Sequence, residues 1–339
     1  HYNMLHGLES LRASFSNFLK RKLNFVEVEA DNIVIQSGAS SICENLAFVL
    51  CDSGEGILIP APFYTGFSYD FEKRFSAQLI PFQLDPINKF EFNYKAMLTA
   101  YDESRIKIKA LLITNPNNPT GSLYTKEELL IIIDFCKERD IDLITDDVYA
   151  LATFSDDEYQ CAVNLAGDYA HRVHLIYSMA KDFSLGGFKV GFFYTKNIEI
   201  YNAMRDTSYF CTVSTATQYL VNNVLDNLEW ITNFLKISKK RLQVAYTCLK
   251  DNLNWDIPII EAGIFVFIDF SQLLKESSQR GELDLFDRFW DDTKINITPG
   301  QYFGCSTPGY FRVCFANPEK DILEFCKRVN IFIEKNIQK

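Results

Sequence analysis

Apolar residues recur along this chain in two spacings, and the switches between them outline its elements. Leu8, Leu11, Phe15, Phe18 and Leu19 fall three or four positions apart, with Arg12, Lys20 and Arg21 on the other side, which predicts an amphipathic helix over Leu8 to Leu23. Short apolar runs follow at Ile33-Val34-Ile35, Gly56 to Pro60, Gln78 to Leu84, Ala110 to Thr114, Ile141 to Thr145, Val173 to Tyr177 and Val190 to Tyr194, each the length of a strand. Between them the chain reads as helix at Ile42 to Leu50, Lys89 to Glu103 and Lys126 to Arg139. The last has Thr125 as its N-cap and Glu127 and Glu128 in its first turn. Strand and helix alternating through Tyr194 predict βαβ units and a mostly parallel sheet.

From about Asn222 the pattern changes. A long helical segment from Leu228 to Leu253 leads to an alternating strand at Gly263 to Phe270, a helix around Leu283 to Asp292, a strand at Gly309 to Phe315 and a terminal helix from Glu319. The expected organisation is an N-terminal arm and helix over residues 1–20, a large α/β domain over 21–221 and a smaller α+β domain over 222–339, joined by the long helix. A cleft between two such domains is a usual place for a small ligand.

Composition narrows the class without naming the chemistry. With 339 residues, 47% of them hydrophobic, the chain has ample material for a large core. A formal charge of −10 argues against nucleic acid or an anionic membrane as partner, because neither surface attracts it. No apolar stretch reaches the roughly 18 residues that a membrane span needs. The nine cysteines are odd in number and never spaced Cys-x-x-Cys, which fits reduced thiols in a cytoplasmic protein better than a disulfide framework. His171 and His174 lack further ligands nearby and read as structural, so no metal site is expected.

The candidate chemistry sits just beyond the strands. Ser178-Met179-Ala180-Lys181-Asp182, running on to Gly186-Gly187-Phe188-Lys189-Val190-Gly191, puts an amine at the end of one strand and before another. A lysine held where its charge is poorly solvated has a lowered pKa, and its neutral form condenses with an aldehyde; the same residue could equally face solvent beside a turn. Other strand ends add partners. Ser37-Gly38-Ala39-Ser40-Ser41 joins a strand to a helix start, which either suits a phosphate through free backbone N–H groups or is a tight turn with a serine cap. Tyr64 follows the second strand in Pro60-Ala61-Pro62-Phe63-Tyr64-Thr65-Gly66. Asn118 lies in the rigid loop Asn115-Pro116-Asn117-Asn118-Pro119-Thr120-Gly121, Asp146 and Tyr149 close the fifth run, and Arg312 comes much later. In an open α/β sheet the ends of parallel strands share one rim, so these residues are expected around one pocket.

These motifs resemble the fold-type I, class I/II aminotransferases that use pyridoxal 5′-phosphate, with the aspartate aminotransferase fold of a large α/β domain and a smaller α+β domain. The carrying stretches are Asn115 to Gly121, Asp146-Asp147-Val148-Tyr149, Ser178-x-x-Lys181-Asp182 and Gly187-Phe188-Lys189-Val190-Gly191. Asn118 and Asp146 are 28 positions apart, Asp146 and Lys181 35. Pro60-x-Pro-Phe-Tyr-Thr-Gly-Phe67 and Tyr310-Phe-Arg-Val-Cys-Phe-Ala-Asn317 make the chain similar to 1-aminocyclopropane-1-carboxylate (ACC) synthase and its homologues within that family.

The resemblance implies roles for the matching residues. Lys181 would carry the cofactor as a Schiff base and move the proton at the substrate's Cα, Asp146 would pair with the pyridine nitrogen, and Asn118 and Tyr149 would bond the ring's 3′ oxygen. Tyr64 would stack on the ring, and Ala39, Ser40 and Ser178 would reach the phosphate, with Lys189 where the family has an arginine. Arg312 would take the substrate α-carboxylate as a bidentate fork. A homodimer with a shared active site is implied as well.

The chain departs from the family pattern at Lys189, at Ala180 in place of a serine, and at Leu5 in place of a tyrosine that reaches the neighbouring subunit's cofactor, for which Tyr2 is a candidate substitute. At roughly 0.5–1.5 kcal/mol per lost neutral hydrogen bond, these changes weaken cofactor affinity by one or two orders of magnitude. These departures place a catalytically silent homologue with a binding role beside an ACC-synthase-like lyase or aminotransferase, and a carbon–sulfur lyase, which eliminates a β substituent after the same loss of the Cα proton, stands as a further alternative. A nicotinamide dehydrogenase is disfavoured, since no Gly-x-Gly-x-x-Gly follows the first strand.

Overall fold

Seven of the short runs pair into one sheet in the computed structural model, which describes residues 3–86, 88–154 and 159–337. They are β1 (Ile33–Gln36), β2 (Gly56–Ala61), β3 (Gln78–Gln83), β4 (Ile108–Thr114), β5 (Asp142–Asp146), β6 (Val173–Ser178) and β7 (Gly191–Tyr194), in the order β1-β7-β6-β5-β4-β2-β3. Six strands run one way and β7 alone runs against them, pairing antiparallel with both β1 and β6. The C-terminal ends of β1, β2, β4, β5 and β6, and the start of β7, therefore lie along one edge.

Helices cover both faces: α1 (Glu9–Lys22), α2 (Ala39–Leu50), α3 (Tyr94–Glu103), α4 (Lys126–Arg139), α5 (Ala162–Leu165), α6 (Ile198–Thr207) and α7 (Thr215–Asp226). Successive strand residues point to opposite faces, and the two cores divide accordingly. Ile35, Leu111, Leu143, Leu175 and Phe192 pack with Phe15 of α1 and Ile132 of α4, whereas Val34, Leu112, Ile144, Ile176 and Phe193 pack with Leu46 of α2 and Met204 of α6. Phe15 stacks on Phe192 with ring centroids 3.8 Å apart; burying one such side chain contributes about 1.5–3 kcal/mol.

The second unit is α8 (Leu228–Asn252), β8 (Phe265–Asp269), α9 (Gln279–Thr293), β9 (Thr298–Pro299), β10 (Tyr310–Cys314) and α10 (Glu319–Ile337), its strands antiparallel in the order β8-β10-β9. Helix α8 bridges the two cores: Ile231 packs with the large sheet, while Ala245 and Leu249 pack with Val266, Phe311 and Val329.

Several elements differ from the sequence expectation. The helix expected over Lys89 to Glu103 starts at Tyr94, because Lys89 and Phe90 take left-handed backbone (φ 56° and 62°) and Asn93 supplies the cap by accepting the Ala96 N–H at 3.0 Å. The strand within Gly263 to Phe270 is buried from Phe265 through Ile268, so it shows no alternation of burial there. Helix α9 begins four residues before Leu283, where Ser278 accepts the Gly281 N–H at 3.0 Å. The capping box at α4 forms as the sequence indicates, Thr125 Oγ1 accepting the Glu128 N–H and Glu128 Oε2 accepting the Thr125 N–H. His174 is buried between Thr195 and Asp142 as a structural histidine. Among the described residues no helix is long and apolar enough to cross a membrane. Tyr2 lies outside the described residues.

Candidate active site

At the rim of the sheet, β1 turns directly into α2. Gly38 caps α2 with φ +91° and, having no side chain, offers no capping hydrogen bond to the first-turn N–H groups. Unpaired amides at the positive end of a 12-residue helix form a cradle for an anion. The cradle rests on the start of β7: a Cβ on Gly191 would stand 2.5 Å from the Gly38 carbonyl carbon, so only glycine fits there. Lys189 lies alongside, its Cα and Cδ each 4.0 Å from where a Gly38 Cβ would be, and it too takes left-handed backbone at φ 53°.

Asp146 ends β5 between two parallel neighbours. It is 5% exposed, and its Oδ1 has no hydrogen-bond partner among the described residues. Burial pushes its carboxyl up to about 7 against the opposing Val148 N–H, with a smaller pull from Lys181. An unpartnered, desolvated carboxylate oxygen is costly unless something cationic or hydrogen-bearing comes to meet it.

Lys181 follows β6 in a turn closed on itself by Ser184 N to Lys181 O and Leu185 N to Met179 O. Its side chain opens into the cleft, and its amine is held below the ordinary lysine value, first by loss of solvation and then by the Arg312 guanidinium. The amine stands 5.9 Å from the centroid of the buried Tyr149 ring, whose hydroxyl is pushed far up by burial. Lowering a lysine's pKa raises the share of its neutral form, which is the nucleophile and proton acceptor.

The asparagine loop divides its labour. Asn115 Oδ1 accepts the Tyr124 N–H and Asn117 Oδ1 accepts from both Thr120 N and Oγ1, so these two build the loop. Asn118 is left for the site, where its Oδ1 accepts from Arg312 Nη1 at 3.1 Å. Arg312, on β10, lies over the Phe265 ring at 4.2 Å and the Phe303 ring at 4.8 Å, and no carboxylate pairs with it among the described residues. A guanidinium fixed by two aromatic faces and one hydrogen bond keeps donors free for an incoming carboxylate.

Tyr64 stands at the mouth, edge-on to Phe67 at 5.4 Å, its hydroxyl raised by burial and then by Asp70 and Asp146. Ser178 is placed differently from the rest. Its hydroxyl donates to Val190 O at 3.2 Å, just before β7, and accepts the Ala180 N–H at 3.1 Å from the Lys181 turn. Leu5 is 41% exposed near the N-terminus. The structure thus brings Asp146, Tyr149, Lys181, Asn118, Arg312 and Tyr64 to one cleft, with Ala39, Ser40 and Lys189 at its edge.

Three residues here had no role assigned from the sequence. Phe265 and Phe303 clamp Arg312, which only tertiary packing reveals. Asp182, next to Lys181, turns into the core and bonds Tyr177 and Leu151.

Comparison with known proteins gives consistent matches. The family profile "Aminotransferase class I and II" covers residues 1–329. The 1-aminocyclopropane-1-carboxylate synthase of Nicotiana tabacum is 34% identical over 97% of this chain and 70% of its own length. That of Vigna radiata var. radiata is 36% identical over 92% of this chain and 88% of its own. Among solved structures, a Thermus thermophilus aspartate aminotransferase double mutant superposes with a TM-score of 0.87 at 20% identity, covering 98% of this chain and 83% of its own. An aromatic aminotransferase from Pyrococcus horikoshii gives 0.86 at 21% identity, covering 99% and 88%. At those identities the structural likeness establishes the fold.

Proposed function

The chain belongs to the class I and II aminotransferase family, whose enzymes depend on pyridoxal phosphate, and we propose that it transforms a small α-amino acid through Lys181. The observation that carries this reading is the buried Asp146 oxygen without a partner, in the same cleft as a lysine of lowered pKa. A protonated ring nitrogen fits that oxygen, and its positive charge offsets the cost of burying the carboxylate. The uncapped amides of Ala39 and Ser40, with the Lys189 ammonium, suit a phosphate. Bound pyridoxal phosphate supplies an aldehyde for amines and a ring that withdraws electrons from the substrate's Cα.

The chain's own residues do the rest. Asp146 would keep the ring nitrogen protonated, Asn118 and Tyr149 would hydrogen-bond the ring oxygen, and Tyr64 would cover the ring and exclude water. Arg312 orients the substrate by its α-carboxylate, and Lys181 Nζ takes the proton from Cα and returns it. Once the Cα proton has moved to Lys181, it can return for transamination, or a γ or β leaving group can depart first. An ACC-synthase-like lyase or aminotransferase is the reading favoured by the relatives. A silent homologue is the second reading, favoured by Ser178, whose hydroxyl proton is already engaged, and by Ala180 and Lys189.

A homodimer belongs to the same proposal. Tyr209 and Phe210 are 66% and 83% exposed, and the Cys211 carbonyl just after them accepts the Ser37 N–H, so an apolar face adjoins the cradle. A cytoplasmic setting is supported by nine free cysteines, seven of them buried as unpaired thiols. The direct test is borohydride reduction of the protein loaded with pyridoxal phosphate, followed by peptide mass spectrometry. The pyridoxyl group is expected on the peptide containing Lys181; finding it only on other lysines would sink the proposal.

A further inference from the structure

The residue after Lys181 points away from the cleft. Asp182 is 6% exposed, and one oxygen, Oδ2, accepts both the Tyr177 hydroxyl at 2.9 Å and the Leu151 N–H at 3.1 Å. Its other oxygen has no partner among the described residues. Tyr177 lies in β6, ahead of the Lys181 turn, and Leu151 follows Tyr149 by two positions. The Lys181 turn otherwise bonds to itself, and the Tyr149 loop is closed by Ala150 N to Asp147 O and Ala152 N to Tyr149 O. Among the described residues, Asp182 supplies the hydrogen bond that joins the two.

Building on the role given above to Lys181 and Tyr149, we propose that Asp182 is a positioning residue: it sets where the Lys181 amine stands relative to Tyr149, and thereby the proton affinity of the cofactor-bound lysine nitrogen. A side chain adjacent to the reacting lysine and bonded to the loop of its hydrogen-bonding neighbour fixes two groups at once. Such coupling is worth more than either bond's own contribution to stability, because small displacements of reacting groups are costly.

Charge and geometry are separable here. The Lys181 amine faces Arg312 and Cys314 from β10, Asp146 and Tyr149 from the end of β5, and Lys189 from beside the cradle. None of these groups bonds Asp182 directly, so changing Asp182 removes no charge that faces the amine; what it releases is the Tyr149 loop, tied to Asp182 through the Leu151 N–H. Burial pushes the Asp182 carboxyl up to about 7, so its own charge changes near neutrality. Because both donors meet the same oxygen, Asp182→Asn keeps both bonds through its amide oxygen while removing the charge. Asp182→Ala loses both bonds, and Asp182→Glu keeps the charge but moves the oxygen by one methylene.

The test is a pH titration, without substrate, of the visible absorbance of the protein loaded with pyridoxal phosphate. With Tyr149 misplaced the lysine nitrogen holds its proton more tightly, so the midpoint rises by about one pH unit in Asp182→Ala, a tenfold change in proton affinity. Asp182→Glu, which also answers for the case in which Asp182→Ala does not fold, is expected to shift in the same direction. Asp182→Asn stays at the wild-type midpoint, as does Tyr177→Phe, which leaves the Leu151 bond intact while lowering stability. A wild-type midpoint in Asp182→Ala or Asp182→Glu overturns the proposal, and so does Asp182→Asn moving as far as Asp182→Ala. Absence of a borohydride adduct at Lys181 in the wild-type protein overturns the reading beneath it instead, which keeps the two failures distinct.

Discussion

Replacing Arg312 by lysine isolates the geometry of carboxylate recognition from its charge. The guanidinium is clamped between Phe265 and Phe303 and held by Asn118, with no acidic partner among the described residues, so lysine leaves no carboxylate unpaired. Two losses follow in the substrate complex. One of the two charge-assisted hydrogen bonds of a bidentate contact goes, about 1.5–3 kcal/mol. The stacking on the aromatic faces weakens by a further ~0.5–1 kcal/mol. Together they amount to roughly 2–4 kcal/mol of transition-state binding, or about 30- to 1,000-fold in kcat/KM. Steady-state kinetics with the best amino-acid substrate measures this directly. Pyridoxal phosphate affinity and the urea midpoint should stay near wild type, because Arg312 is assigned to substrate rather than cofactor. A kcat/KM within about threefold of wild type would refute the assignment, since a point charge would then serve as well as a fork.

Other consequences are equally open to measurement. In the cofactor-free protein Asp146 titrates near 7, well above its unfolded value, so the folded state binds the extra proton and stability falls as pH rises between about 4 and 7, by up to about 1.4 kcal/mol per pH unit. Asp146→Asn should remove that part of the slope and stabilise the cofactor-free protein at pH 8; urea midpoints from pH 5 to 8 check it, and an unchanged slope contradicts it. Gly191→Ala places a methyl 2.5 Å from the Gly38 backbone, so the cradle must move. Its expected cost is about 1–3 kcal/mol of stability and at least tenfold in pyridoxal phosphate affinity by fluorescence titration. Lys189→Ala removes the cation beside the cradle and should weaken pyridoxal phosphate by roughly tenfold while leaving pyridoxal, which lacks the phosphate, unaffected; equal losses for both ligands would mean that Lys189 does not face the phosphate.

Much of this arrangement is legible in the chain itself, where local chemistry and tertiary packing agree. Apolar runs become strands because both faces of the large sheet are covered, and Thr125 caps α4 because a hydroxyl three residues before Glu128 can do so in any context. The direction of β7 is not legible: Val190 to Tyr194 reads the same in either orientation, and the short return from Lys181 through Gly191 decides it. The start of α3 was hidden because Lys89 and Phe90 carry no local signal for left-handed backbone. Helices α6 and α7 went unread, although Asn197 and Ser214 stand as side-chain caps at their starts. Within the site, the residue types that carry chemistry stood out from the loops, but their partners did not. That Asn118 rather than Asn115 or Asn117 faces Arg312, that Ser178 spends its proton on Val190, and that Asp182 turns inward all depend on side-chain direction, which spacing does not specify.

The most direct test of the central claim is the visible absorbance spectrum of the protein after incubation with pyridoxal phosphate and desalting, recorded before and after addition of a panel of amino acids and S-adenosylmethionine, with Lys181→Ala as control. The account predicts a retained cofactor band that shifts with one class of substrate, and no such band in Lys181→Ala. A band that persists unchanged in Lys181→Ala, or no retained cofactor in the wild-type protein at saturating dose, would contradict it.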